Sequence, residues 1–495
     1  MSLPRLSSRA LPAGVRRPSW DRAATPVRTA HLGVGAFHRC HGAEFLEDAL
    51  EAGEDAGGIV GINLRPPALR DLLAPQDGLY LRTLRDAAGE ESRVVGAILR
   101  VADAGADPEE ALRWLASPGV TTATLTVTEK GYCHVPATGE PDWSNPDLIA
   151  DARGGTRSAP GLLLAALRRR RESGAGAINL VSCDNVAGNG GVLRAVVRGL
   201  AAEADPGMLP WLDDHVAFPD TVVDRIVPAV DPADLDALAR RIGVRDEAAV
   251  WGEPFRQWVI ADDFRAPRPP WEAAGAEVVA DPFPFEAAKM RLLNAAQTML
   301  SLLGALFGHR LSWEAAADPA LAAFARGTLG RETVPHLPPG GPEGRAYLGL
   351  SLARVGNRAV RHPCHQIATD TSRKLRQRVL DPLRERRRRD LPAPGLETAI
   401  GAWVAYLAAE APAHGARWTV SDPVTEASRP LLARRGGDVE GFARDVLGIE
   451  AVLGADLGRD GALAARVGRA ARRLLGGDRG ALTQGLDGTG GEGAP

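Results

Sequence analysis

Apolar and polar positions follow two rhythms along this chain, and the change of rhythm divides it. In the first part, short apolar or β-branched runs at 29–32, 57–64, 119–128, 177–183 and 221–227 read as strands. Between them, 43–52, 108–115, 161–173 and 191–202 carry apolar residues at helical spacing. Strands alternating with helices predict an α/β domain with a mostly parallel sheet. After about Pro284 helical spacing takes over, at 285–307, 319–329, 344–355, 372–387, 396–409 and 441–447. The expected organisation is an α/β domain over 1–284, a mainly α-helical domain over 285–475, and a flexible Gly-rich tail over 476–495. No repeat of fixed period is present.

Composition narrows the function classes. At 45% hydrophobic and 24% charged residues, the 495-residue chain is ordinary globular material. No apolar run approaches the ~18 residues of a membrane helix, and residues 1–28 lack an apolar h-region, so a cytoplasmic protein without membrane contact is expected. A net charge of −3 gives no support to nucleic-acid binding; the run Arg386–Arg389 reads as a solvated helix face. The four cysteines show no CxxC spacing. Three of them adjoin a histidine (Cys40-His41, Cys133-His134, Cys364-His365), the basis for a competing zinc alcohol dehydrogenase reading. Neighbouring side chains diverge and chelate poorly, so no metal is expected.

Of the 59 basic residues only three are lysines, Lys130, Lys289 and Lys374. Base composition of the coding DNA accounts for the 56 arginines but not for the exceptions. Arginine stays charged, whereas a desolvated lysine can exchange a proton.

The first strand, turn and helix of a parallel α/β sheet is where a dinucleotide pyrophosphate docks. Gly33-x-Gly35 is placed for that, although His38 stands where a third glycine is usual. Arg39 opposes the helix dipole unless an anion is near, so it reads either as a phosphate contact or as a surface arginine. The second strand ends without the acid that would hold a ribose 2′-hydroxyl, and Arg65 could tolerate a 2′-phosphate, leaving NAD and NADP both open. In the first helix of the second domain, at about 100° per residue from Lys289, Glu286 falls near 60°, Gln297 near 80° and Asn294 near 140°, so four polar groups share one arc. Either that face is solvated, or an apolar setting lowers the lysine pKa for proton transfer.

The ordered segments 33–39 (GVGAFHR), 126–132 (TVTEKGY), 182–185 (SCDN), 223–226 (VDRI) and 289–294 (KMRLLN) resemble the polyol-specific long-chain dehydrogenases, the family of mannitol 2-dehydrogenase and fructuronate reductase. The resemblance implies a Rossmann-like N-terminal domain, a helical C-terminal domain and a metal-independent site in the cleft between them. It implies that Lys289 is the general acid/base, that Asn185 and Asn294 hold the reacting oxygen, and that Lys374 binds substrate. It places Phe37, Thr128, Glu129 and Lys130 near NAD, with a plain turn lysine as the competing reading of Lys130. Asp224 and Arg225 line the nicotinamide pocket or cap a strand. Glu286 relays protons, gates the site or forms a helix-start ion pair. Two departures stand out: Gln297 replaces a common histidine, and Gln366 replaces the arginine of mannitol-type members. Gln366 points to D-mannonate/D-fructuronate chemistry, with D-mannitol/D-fructose as the alternative and a silent dinucleotide sensor as the reading from another class. A sugar acid or polyol is the expected partner, and a monomer or weak homo-oligomer the expected assembly.

Overall fold

The computed structural model describes residues 3–64, 68–415 and 417–487. The chain divides into two compact units, 1–282 and 283–495.

The first unit is built on a six-stranded sheet from β1 (Val27–Leu32), β2 (Gly58–Asn63), β5 (Ile98–Asp103), β6 (Thr122–Leu125), β7 (Ile178–Ser182) and β8 (Val216–Ala217), in the order β5-β2-β1-β6-β7-β8. All neighbouring pairs are parallel. Every residue of β2, β6 and β7 is buried, the pattern of strands covered on both faces and the reason they read as continuous apolar runs. Helices Ala159–Ser173 and Asn189–Ala204 contribute Leu163, Leu167, Val196 and Leu200 to that core. The strand order reverses beside β1, so the carboxyl ends of β1 and β6 flank the topological switch point where α/β sheets bind ligands.

Two small sheets complete this unit. One pairs β3 (Tyr80–Asp86) with β4 (Gly89–Val95) and β10 (Val250–Gly252); the other pairs β9 (Thr221–Asp224) with β11 (Gln257–Ala261) and β12 (Glu277–Val279). The hydrophobic pattern gave no sign of β3 and β4, and the reason is their charge. Arg82 and Arg93 sit opposite one another across the two strands, both 3% exposed; both pair with Glu44, at 3.1 and 3.2 Å, and Arg93 also pairs with Asp48.

The second unit is helical. Ala295–Leu306 and Pro394–Ala408 are almost wholly buried, and Gly461–Leu475 packs against the latter. That approach is close: a Cβ on Gly401 would lie 2.8 Å from Ala470 Cβ. Two helices contain π turns, at Lys289–Asn294 and Arg376–Leu380. Gly480–Asp487 is also helical, and its Ala481 and Leu482 are buried in the core. A flexible tail from 476 is therefore corrected for these residues, because two apolar side chains dock them after the chain turns at Gly477; residues 488–495 lie outside those described. Among the described residues no helix is long and apolar enough to cross a membrane.

Candidate active site

In the first unit, the loop after β1 crosses the carboxyl end of β6. Gly33 has φ +90°, and a Cβ there would lie 2.2 Å from the Thr126 carbonyl oxygen, so only glycine fits. Gly35 precedes helix Ala36–Cys40 with φ −67°, and the nearest atom to a Cβ there is 3.9 Å away. The loop is supported from below by His31. Its Nδ1 contacts Thr124 Oγ1 at 2.7 Å and its Nε2 contacts Thr126 Oγ1 at 2.9 Å, while burial lowers its pKa to about 3. His38, at the third-glycine position, stacks on His31, and burial holds its pKa well below the ordinary range. Phe37 stacks on His41.

Arg39 is not placed for a phosphate. It is 4% exposed and donates to the carbonyls of Val34 at 2.6 Å and Ala248 at 3.2 Å, so both the phosphate contact and the surface arginine are corrected. A cation one turn into so short a helix finds main-chain oxygens beneath the loop. Arg65 lies outside the described residues.

The loop after β6 is held from β7. Asp184 accepts from the main-chain N–H groups of Val127 and Thr128, each at 2.9 Å, and from Tyr132 Oη at 2.7 Å. Burial raises its pKa while these three donors oppose the rise. The clamp fixes Thr128 at φ 65°, an uncommon conformation for a β-branched residue, and leaves Glu129 and Lys130 exposed on the turn Glu129–Tyr132. Asn189 Nδ2 donates to the Asp184 carbonyl at 3.0 Å and to that of Thr221 at 3.1 Å, bracing the exposed Asn185 and the start of β9. Asp184 lay in a recognised segment but carried no assigned role, and Asn189 was missed. Their signal is a short polar side chain just beyond a strand end. Asp224 is buried at the end of β9. Arg225 donates to the Glu253 carbonyl at 2.8 Å and pairs with Glu44, so it is part of the interior charge cluster.

In the second unit, Lys289 is 6% exposed and Asn294 7%, and both lie in the first π turn. A π turn closes with i→i+5 bonds and takes in an extra residue. Asn294, five residues on, thus returns toward the azimuth of Lys289 instead of the 140° of an ideal α-helix. Its Nδ2 faces Met290 Sδ at 2.9 Å, a weak acceptor. Arg378, from the second π turn, donates to the Asn294 carbonyl at 3.2 Å and to Thr298 Oγ1 at 2.7 Å. Glu286 and Gln297 are half-buried. Lys374 Nζ donates to the carbonyls of Ile367 at 3.1 Å and Thr369 at 2.5 Å, which ties it to the C-terminal end of helix Cys364–Ala368, the helix that carries the exposed Gln366, and leaves one N–H bond for a ligand. Burial, helped by Arg378, lowers its pKa to about 8 against the pull of Asp370 and Asp422.

Among the described residues, no three His, Cys, Asp or Glu side chains form a set that could hold a metal ion. Two histidines of the Cys-His pairs are engaged elsewhere, His41 with the Gln257 carbonyl at 2.8 Å and His365 with Tyr406 Oη at 2.8 Å.

Comparison with known proteins places this geometry. The mannitol dehydrogenase Rossmann domain matches residues 27–273, and the mannitol dehydrogenase C-terminal domain matches 281–475. D-mannonate oxidoreductase of Escherichia coli (strain K12) is 40% identical over 399 residues, 79% of this chain and 82% of its own. Mannitol 2-dehydrogenase of Cereibacter sphaeroides is 37% identical over 399 residues, 79% of this chain and 83% of its own. The solved ternary complex of Pseudomonas fluorescens mannitol 2-dehydrogenase with NAD and D-mannitol superposes with a TM-score of 0.86 at 29% identity, covering 98% of this chain and all of that one. The chain is thus an oxidoreductase of the mannitol dehydrogenase family.

Proposed function

We propose that this protein interconverts D-mannonate and D-fructuronate with NAD as hydride carrier and Lys289 as general acid/base. The observation that carries this reading is the 40% identity with E. coli D-mannonate oxidoreductase; Gln366, in place of the arginine of mannitol-type members, supports it.

NAD is assigned because a structural relative holds it and because this chain's own residues suit a dinucleotide. Gly33 cannot bear a side chain, Gly35 leaves the loop surface bare, and both stand at the switch point of the sheet. Phe37, Thr128, Glu129, Lys130 and Asp224 are the further cofactor residues. When bound, NAD would supply the hydride acceptor for oxidation and, in reduced form, the hydride donor for reduction. In oxidation the free amine of Lys289 removes the hydroxyl proton; in reduction its ammonium gives the proton back. The side-chain amides of Asn294 and Asn185 donate to the oxygen as negative charge develops, the kind of fixed dipole that favours an alkoxide-like transition state. Lys374 anchors the sugar-acid carboxylate, and Gln297 and Gln366 bind hydroxyls. Gln297 cannot titrate, so the proton passes through Lys289, with Glu286 as relay or gate.

The test is an assay of the purified protein with D-fructuronate and NADH, run in parallel with NADPH. Loss of nicotinamide absorbance is expected. Turnover on D-fructose and D-mannitol alone would move the protein to the mannitol reading, and NADH binding without turnover on any uronate or hexose would leave only a dinucleotide sensor.

A further inference from the structure

The basic run 386–389 belongs to no part of the proposed chemistry, and it is not a uniformly solvated face. Arg386 is 6% exposed and donates to the carbonyls of Pro392 at 2.7 Å and Arg331 at 3.1 Å. Its Nη1 also lies 3.2 Å from His336 Nε2. A guanidinium has donors only; in the tautomer that satisfies the buried Arg386, Nε2 accepts and the imidazole proton sits on Nδ1. Yet Nδ1 lies 3.0 Å from Nη1 of the exposed Arg389, another donor. Two N–H groups therefore face one another, an arrangement that favours an acceptor shared by both.

This donor pair borders a groove of about 490 Å³, which Arg388 and the exposed Phe283 also line. The carboxylate in its lining, Glu385, is paired with Arg291 at 3.0 Å. Among the described residues neither Arg388 nor Arg389 pairs with a carboxylate, so the groove has an excess of positive charge.

We propose that this groove binds a phosphate monoester, its oxyanion held by His336 Nδ1, Arg388 and Arg389 and its organic part lying against Phe283. Two full positive charges and an N–H group lining one groove match a dianion with three acceptor oxygens. The volume exceeds that of a phosphate group alone, leaving room for the ester. Arg291, which pairs with Glu385 and donates to the His336 carbonyl at 3.3 Å, belongs to the same π turn as Lys289.

The experiment is calorimetric titration of the full chain at constant ionic strength, with inorganic phosphate and with phenyl phosphate as probes. Wild type should saturate with both, and more tightly with phenyl phosphate, whose ring can meet Phe283. The double variant R388Q/R389Q changes only exposed side chains and should bind both probes about tenfold more weakly or worse. Sodium chloride at matched ionic strength should not reproduce the heat. Absence of saturation, phenyl phosphate binding no tighter than phosphate, or undiminished binding by the double variant would each overturn the proposal; the last would put the anion elsewhere, such as the dinucleotide loop.

Discussion

Replacing the two glycines of the dinucleotide loop one at a time should separate folding from binding. Gly33→Ala forces an alanine to φ +90° and puts its Cβ 2.2 Å from the Thr126 carbonyl oxygen, about 1 Å short of an ordinary C···O approach. The left-handed backbone costs about 1–2 kcal/mol. Moving Thr126 strains two bonds, its N–H to the Leu32 carbonyl at 2.9 Å and its hydroxyl to the Gly33 carbonyl at 2.6 Å, each worth about 0.5–1.5 kcal/mol. The sum is a destabilisation of roughly 2–5 kcal/mol. Gly35→Ala meets nothing closer than 3.9 Å at φ −67°. It should leave stability unchanged or raise it by up to about 1 kcal/mol through the unfolded chain. Its methyl group nevertheless stands where a pyrophosphate must approach, so NADH affinity should fall at least tenfold, or ~1.4 kcal/mol. Urea unfolding followed by tryptophan fluorescence reads the first quantity, and NADH titration reads the second. A Gly33→Ala protein with the wild-type midpoint would refute the steric argument. A Gly35→Ala protein that binds NADH normally would remove the pyrophosphate from this loop.

Lys289→Ala should lower turnover by about 10²–10⁴-fold with NADH affinity nearly unchanged; near-normal turnover in a steady-state assay would dismiss the acid/base assignment. Asp184→Asn replaces an acceptor of two N–H groups by an amide that must turn its own NH₂ toward one of them, so a loss of about 1–3 kcal/mol in urea unfolding is expected, with weaker NADH binding as the β6 loop relaxes. Unaltered stability would mean that the clamp is not what holds Thr128. Glu332, buried while accepting from Gly395 and Leu396 N–H at 2.9 and 2.8 Å, has its pKa raised by burial from 4.5 to about 7. The folded state therefore holds the proton more tightly than the unfolded state. The stability this contributes is complete below pH 4.5 and is lost as pH rises through 7, about 3 kcal/mol in all. Glu332→Gln should remove most of that slope between pH 5 and pH 8, and identical slopes in denaturation series would contradict it.

Much of the first unit was legible because its central strands are buried on both faces and so read as plain apolar runs. The expected segments 57–64 and 177–183 correspond to Gly58–Asn63 and Ile178–Ser182. Strands Tyr80–Asp86 and Gly89–Val95 were not legible, because arginines that pair inside the protein look like surface residues in a sequence. Arg39 misled for a related reason: its guanidinium serves carbonyl groups that only the folded loop brings beneath it. The helical arc through Lys289 was half right. Its polar residues were identified, but ideal α geometry placed Asn294 too far round, since i→i+5 bonding leaves no mark in residue spacing. Asp184 and Asn189 escaped assignment because their work is done on main-chain groups distant in sequence.

The π turn at Lys289–Asn294 also makes the helix sensitive to how its backbone closes. If the same residues closed with i→i+4 bonding instead, everything from Asn294 onward would turn by about 100° relative to Lys289. The Asn294 carbonyl and Thr298 hydroxyl would then leave the reach of Arg378, although no side chain at those positions had been altered. For this segment the hydrogen-bonding pattern is as much a part of the site as the residues' identities, and a homologue with a one-residue gap here would keep the two residues on one face, at about 40°, through ordinary i→i+4 bonding.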